Sequence, residues 1–212
     1  PKFLDFDNDV EKTMIYKNQS LTKVENPVND LFYLTIRFKK GQLQHQTIAV
    51  SVDLMNYAGA GNYSYSELKK AFSHIGCSYY FSSNNNNVTL NLEGTEEHLN
   101  TAIELTNLLL KQPKEDMVGL NLMLKTMKLD RKRERRDKPF LGGALFNYAQ
   151  HQKESSFVIR PALKAIKKMN PSTLMATYQG IVENYKVDIS YVGNTLLDSV
   201  KNALEKKIDL FG

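Results

Sequence analysis

Residues 31–41 (LFYLTIRFKKG), with residues 53–76 (DLMNYAGAGNYSYSELKKAFSHIG) shortly after, restrict the fold more than any other part of the chain. In the first segment Phe32, Leu34, Ile36 and Phe38 alternate onto one face and Leu31, Tyr33 and Thr35 onto the other, which predicts a central strand. A loop over residues 39–44 leads to a helix over residues 47–57, with Ile48, Val52 and Met55 at helical spacing and Gly59 to Gly61 breaking it. A second helix follows, opened by a capping box of Ser64 with Glu67 and stopped by Gly76, with Leu68, Phe72 and Ile75 as its buried stripe. Two strands over residues 78–82 and 87–93 then form a hairpin, with Val88, Leu90 and Leu92 inward. Its turn is the asparagine run at Asn84 to Asn87, where Asn tolerates positive φ.

Short strands are expected before this unit, over residues 10–16 and 21–24. After it come helices over residues 95–111, 116–137, 140–150, 160–169 and 170–183, a strand over residues 186–192 and a helix over residues 195–208. Leu99, Ala102, Ile103, Thr106, Leu109 and Leu110 line the inner face of the first of these helices, and Val118, Leu122, Met123 and Met127 that of the second. Pro113 and Pro139 act as stops, and Asn170 with Pro171 is a capped start. The order implies an α+β domain of two layers, with helices on one face of a largely antiparallel sheet. At 212 residues and 42% hydrophobic content, one large domain over residues 1–212 is expected rather than two small ones.

No window approaches the roughly 18 apolar residues a membrane helix needs, so a soluble chain without a membrane partner is expected. The single cysteine, Cys77, excludes an internal disulfide and fits the bacterial periplasm and the cytoplasm equally. It reads as a small core filler. The net charge of +5 comes mostly from residues 128–138 (KLDRKRERRDK), where seven Lys or Arg against three Asp or Glu give a local +4. That run lacks aromatic readers and is punctuated by acids at helical spacing. It is expected to be a solvated helix end laced with ion pairs, not a nucleic-acid surface.

The four histidines, His45, His74, His98 and His151, are dispersed, and none has a second His at i+3 or i+4. His74 and Cys77 are separated by the helix stop at Gly76 and lack the further ligands of a zinc site. Gly59 to Gly61 and Gly142 to Gly143 match no phosphate-loop spacing. The acid pairs Glu96/Glu97 and Glu115/Asp116 sit at helix starts, where they complement the helix dipole.

The order of strand, helix, Gly turn, capped helix, hairpin and long helix across NDLFYLTIRFKKG, LMNYAGAGNYSYSELKKAFSHIGCSYYFSS and VTLNLEGTEEHLNTAIELTNLLLKQP resembles the repeating module of the pitrilysin/insulinase (inverse zincin, HxxEH) metallopeptidase family. ALFNYAQHQKESSF and NPSTLMATYQGIVENYKVDISYVGN, ending in Gly193, resemble its later helices and last strand. In a catalytic copy the helix after the first strands carries HxxEH, which binds zinc and activates water. Here that helix, TIAVSVDLMNY, has Asp53 as its only ionisable residue apart from the Tyr57 phenol. The resemblance therefore implies a non-catalytic module, most similar to the first of the C-terminal half, with no catalytic, metal or cofactor residue of its own. Zinc is expected in the catalytic domain of the parent protein. Starting at Pro1 and ending in DLFG, the chain is expected to be excised from a longer protein. Its expected partners are the metal-binding half of that protein or a homologous subunit, together with a peptide substrate. Contact is expected through strand edges beside residues 31–38 or 88–92 and through Tyr79, Tyr80 and Phe81, which carry more apolar bulk than a free hairpin needs. The alternative is a wholly inactive homologue acting in assembly.

Overall fold

Phe32, Leu34, Ile36 and Phe38 are buried along one side of a strand whose other side exposes Tyr33 and Arg37, and this alternation sets the layering of the whole molecule. The computed structural model describes residues 5–15, 19–44 and 47–208. Strands β1 (Val10–Ile15), β2 (Gln19–Val24) and β3 (Leu31–Phe38) lead into helix α1 (Ile48–Met55), a two-residue β4 (Gly59–Ala60) and α2 (Tyr65–His74). The hairpin β5 (Ser78–Ser83) and β6 (Val88–Thr95) precedes α3 (Leu99–Lys111), a short β7 (Pro113–Lys114) and the long α4 (Met117–Glu134). Then come α5 (Lys138–His151), α6 (Ser156–Ile159), α7 (Leu163–Ile166), α8 (Pro171–Asn184), β8 (Val187–Val192) and α9 (Leu197–Lys207). Tyr16, predicted to end β1, and His45 lie outside the described residues.

Six strands form one sheet in the order β1-β2-β8-β3-β6-β5, antiparallel throughout except that β8 runs parallel to β2. The chain's last strand thus enters the middle of the sheet beside β3. Val187, Ile189 and Tyr191 of β8, Val88, Leu90 and Leu92 of β6, and Tyr79 and Phe81 of β5 extend the buried face of β3. The helices pack on that face, so the domain is the expected two-layer α+β sandwich. The opposite face, with Tyr33, Tyr80, Asn91 and Glu93, is exposed among the described residues. No helix among them is long and apolar enough to cross a membrane.

Local signals account for most element ends. Ser64 accepts the Glu67 N–H at 3.3 Å while Glu67 accepts the Ser64 N–H at 2.8 Å, and Gly76 takes φ +60 at the end of α2. The asparagine turn closes differently from expectation. No Asn of the turn adopts positive φ; instead the Asn84 side chain accepts the N–H groups of Asn86 and Asn87, each at 2.8 Å.

Pro139 acts otherwise than predicted, and Pro161 interrupts a predicted helix. Pro139 lies inside the first turn of α5, where its missing N–H is harmless, and Asp137 caps that helix by accepting the Phe140 N–H at 3.0 Å. Consequently α4 ends at Glu134, not at residue 137. Of the helix expected over residues 160–169 only α7 forms, and it starts late: α6 ends before it at Ile159, and Pro161 holds Arg160 at an extended ψ of 132.

Glu96 also departs from the helix-dipole reading. It accepts hydrogen bonds from Tyr191 Oη at 2.6 Å, from Thr195 Oγ1 at 2.6 Å and from the Asn194 backbone, tying the end of β8 to the start of α3. Gly193 permits this, since a Cβ there would collide with Glu96 and the Tyr191 hydroxyl. Burial raises the carboxyl, but the bonds from Thr195, Tyr191 and Asn194 outweigh it and hold it below the ordinary value. A depressed carboxyl stabilises the fold above its unfolded value, and that contribution fades as pH falls through the folded one. Glu96→Gln is therefore expected to cost about 1–2 kcal/mol at pH 7, given a part-exposed but charge-assisted cluster. Urea unfolding should show the gap closing below about pH 4; an equal gap at both pH values would contradict an ionised staple.

Candidate functional site

Helix α1 is the element on which the resemblance would place the metal ligands of a catalytic copy. Here Ile48, Val50, Val52, Leu54 and Met55 are buried, and it packs on α8 and β5. Asp53 is the exception. Its carboxylate lines a cavity of about 360 Å³ with Met127, Asp130, Arg131 and Glu134 of α4, Phe140 of α5, Phe157 of α6 and Arg160. Burial pushes the Asp53 carboxyl up to about 6, against an opposing pull from Arg131.

The cavity's own cations are already engaged. Arg160 holds Glu134 through two bonds of 3.0 and 2.7 Å, and its guanidinium lies 5.5 Å from the Phe157 ring centroid. Arg131 Nη2 donates to the Pro161 carbonyl at 2.7 Å. Phe140 and Phe157 meet edge to face at 5.3 Å, giving the cavity an aromatic wall. Among the described residues, no hydrogen bond or ion pair reaches the Asp53 side chain.

This geometry corrects the reading of residues 128–138 as solvated throughout. Asp130 and Arg133 make a loose surface pair at 3.7 Å, but Glu134 turns inward to Arg160, and the partly buried Arg131 reaches Pro161. Val118 and Leu122, expected to pack, are 69% and 40% exposed, while Met123 is buried.

The three aromatic residues of the hairpin separate. Tyr79 and Phe81 are 4% and 0% exposed and point into the core, whereas Tyr80 is 58% exposed on the open face. The edges expected beside residues 31–38 and 88–92 do not exist, because β3 and β6 each have a strand on both sides; the sheet ends at β1 and β5. At β5 the edge is covered where it matters most. Buried Asn56 donates to the Phe81 carbonyl at 2.8 Å and accepts the Phe81 N–H at 2.7 Å, and Gln42 donates to the Ser83 carbonyl at 3.0 Å.

A second cavity, of about 440 Å³, lies at the start of β5 between Lys69, Phe72, Cys77, Tyr79 and Glu93. The Lys69 ammonium sits 3.6 Å from the Tyr79 ring centroid, and burial pushes it down to about 8. Cys77 fills space beside Gly94, whose added Cβ would strike its sulfur, and burial pushes the thiol up. His74, His98 and His151 lie apart on α2, before α3 and at the end of α5. Among the described residues, no three His, Cys, Asp or Glu form a group able to hold a metal ion.

No protein-family model matches the sequence, and no curated protein does. Solved structures do match over nearly the whole chain. An inactive peptidase domain from Pseudomonas fluorescens superposes with a TM-score of 0.76 at 12% identity, covering 96% of this chain and 51% of that one. The fold is that of a pitrilysin-like peptidase domain. The periplasmic protease PqqL from Escherichia coli matches at TM-score 0.70 and 12% identity, covering 97% of this chain and 25% of its own. The ferredoxin protease FusC, solved as a mutant with Arabidopsis ferredoxin, matches at 0.76 and 13%, covering 97% and 23%. The chain thus spans between about a quarter and a half of these pitrilysin-like structures.

Proposed function

We propose that this chain is a non-catalytic module of a zinc-peptidase-type protein, carrying no metal of its own, that docks on the metal-binding half of that protein or on a homologous subunit and helps wall a peptide chamber. The observation that carries the reading is α1: within a pitrilysin-like fold it presents one carboxylate, Asp53, and none of the imidazoles that would convert water into a nucleophile. The share of the solved chains that it spans supports a partner half. FusC was solved with ferredoxin, so a protein containing this fold can hold a polypeptide.

The docking surface is best sought on α5. Among the described residues none of its side chains is buried, although it carries Leu141, Leu145 and Phe146, exposed by 43%, 71% and 65%. Gly142 stands beside them with open space around the position of an added Cβ, as a close helix–helix approach requires. On α4, Val118, Leu122 and Leu129 recur at helical spacing and are likewise exposed.

The test mixes the chain with the separately expressed metal-binding half. Association at micromolar concentration and a gain in cleavage of an unfolded peptide are expected. Leu145→Asp with Phe146→Asp should weaken association at least tenfold while leaving the thermal midpoint unchanged, since both side chains are exposed. Association without a gain in activity would favour the inactive-assembly alternative; no association would reject the docking.

A further inference from the structure

The cavity beside α1 contains five charged side chains, and four of them have identifiable surroundings that account for them. Glu134 and Arg160 neutralise each other through paired bonds, Arg131 is tied to the Pro161 carbonyl, and Asp130 faces Arg133 at the surface. Asp53 is the remaining charge. It sits on a largely buried helix and faces a space of about 360 Å³, within the span of about 300–1,000 Å³ common to small-ligand pockets. Around it stand Phe140, Phe157 and Met127, apolar walls able to hold an alkyl stem and offer ring faces to a cation. An anion would meet the Asp53 carboxylate and find both guanidinium groups already engaged. A cation would find one carboxylate that, among the described residues, accepts no hydrogen bond and feels only the pull of Arg131.

From this we infer that the Asp53 cavity receives the ammonium or guanidinium group of a basic peptide side chain, with Asp53 as its counter-ion and the Phe140–Phe157 pair beside its stem. In serving peptide, this site rests on the chamber-wall reading above; as a cation site it stands on the cavity alone. The charged and titratable groups facing Asp53 are Asp130, Arg131 and Glu134 from α4, Arg160 at the end of α6, and the phenol of Tyr80 from β5. Arg131 is the competitor that an incoming cation must outdo, and its bond to Pro161 holds it off.

Agmatine and two otherwise identical unstructured peptides, one with Arg and one with citrulline in its place, are titrated into the isotope-labelled full chain and followed by amide NMR shifts. At pH 7.5 the expected result is saturable shifts at Ala49, Val50, Asp53 and Phe157 with agmatine and with the Arg peptide, the latter binding at least tenfold tighter than the citrulline peptide. Asp53→Asn should weaken both cations at least tenfold, and Asp53→Glu should recover part of the loss. With the carboxyl at about 6, lowering the pH to 5 leaves roughly a tenth of Asp53 ionised, so binding should fall about tenfold while both probes stay cationic. No saturable shift with agmatine, or undiminished binding to Asp53→Asn, overturns the site. Agmatine binding with equal affinity for the Arg and citrulline peptides overturns the peptide as its source. Association with the metal-binding half is measured separately, so failure of the chamber reading and failure of the cation site are told apart.

Discussion

Asp53→Asn is expected to stabilise the chain by about 2–3 kcal/mol at pH 7.5 and to leave it almost unchanged at pH 4. The side chain keeps its shape and loses only its charge. Burial moves the Asp53 carboxyl from 3.8 to about 6, and a displacement of that size corresponds to about 3 kcal/mol, lowered toward 2 by the part of the carboxylate that faces cavity water. The sign follows from proton counting. Between about pH 4 and pH 6 the folded chain keeps a proton on Asp53 that the unfolded chain has released, so stability declines as pH rises through that window. Above it the penalty is complete, and below it both states are protonated and the penalty vanishes. Urea unfolding of both proteins at pH 7.5 and pH 4, with equal m-values, measures the difference directly. A loss of stability in the variant at pH 7.5 would mean that Asp53 is firmly paired, with Arg131 the obvious partner, and would remove the free counter-ion on which the cation site depends. A carboxylate retained at a cost to the fold is what a binding site looks like energetically.

The parts of the molecule that could be read from the sequence are those governed by neighbours in the chain. The capping box at Ser64 and Glu67, the stop at Gly76, the inward residues of β3, β6 and β8 and the Asn170–Pro171 start of α8 depend on contacts a few residues apart, and they stand as expected. The pairing order of the strands depends on partners distant in sequence. The alternation of β3 marks it as central, yet nothing in it says that β8 is its neighbour or that β6 lies on its other side. The edges expected beside residues 31–38 and 88–92 are therefore misplaced by one strand or more. Asp53 stood out as the only charge on α1, but its surroundings could not be seen. Arg131 and Glu134 lie in a run whose composition suggests solvent, and Phe140, Phe157 and Arg160 are brought to α1 by the break between α4 and α5 and by the extended residue before Pro161.

Replacing Asn56 is expected to have a comparable effect in the opposite direction. Its amide makes both hydrogen bonds that a further strand would make to Phe81, so it closes the β5 edge from within the helical layer. Asn56→Leu preserves the approximate volume and leaves one buried N–H and one buried carbonyl without partners, each costing about 1–3 kcal/mol. A total loss of about 2–6 kcal/mol is expected, together with faster hydrogen exchange at the Phe81 amide. Asn56→Asp refines the test: it still accepts the Phe81 N–H but turns a second oxygen toward the Phe81 carbonyl, so it should be at least as damaging at neutral pH. If Asn56→Leu costs under 1 kcal/mol, water replaces the amide and the edge is open. The consequence for function is specific. An extended peptide adding to β5 would have to displace the Asn56 amide at Phe81 and the Gln42 amide at Ser83 before gaining any backbone bond there. At this edge a chamber wall built from this domain would therefore engage peptide through side chains and not by strand addition, and Asn56→Leu should open the Phe81 segment of the edge to strand addition.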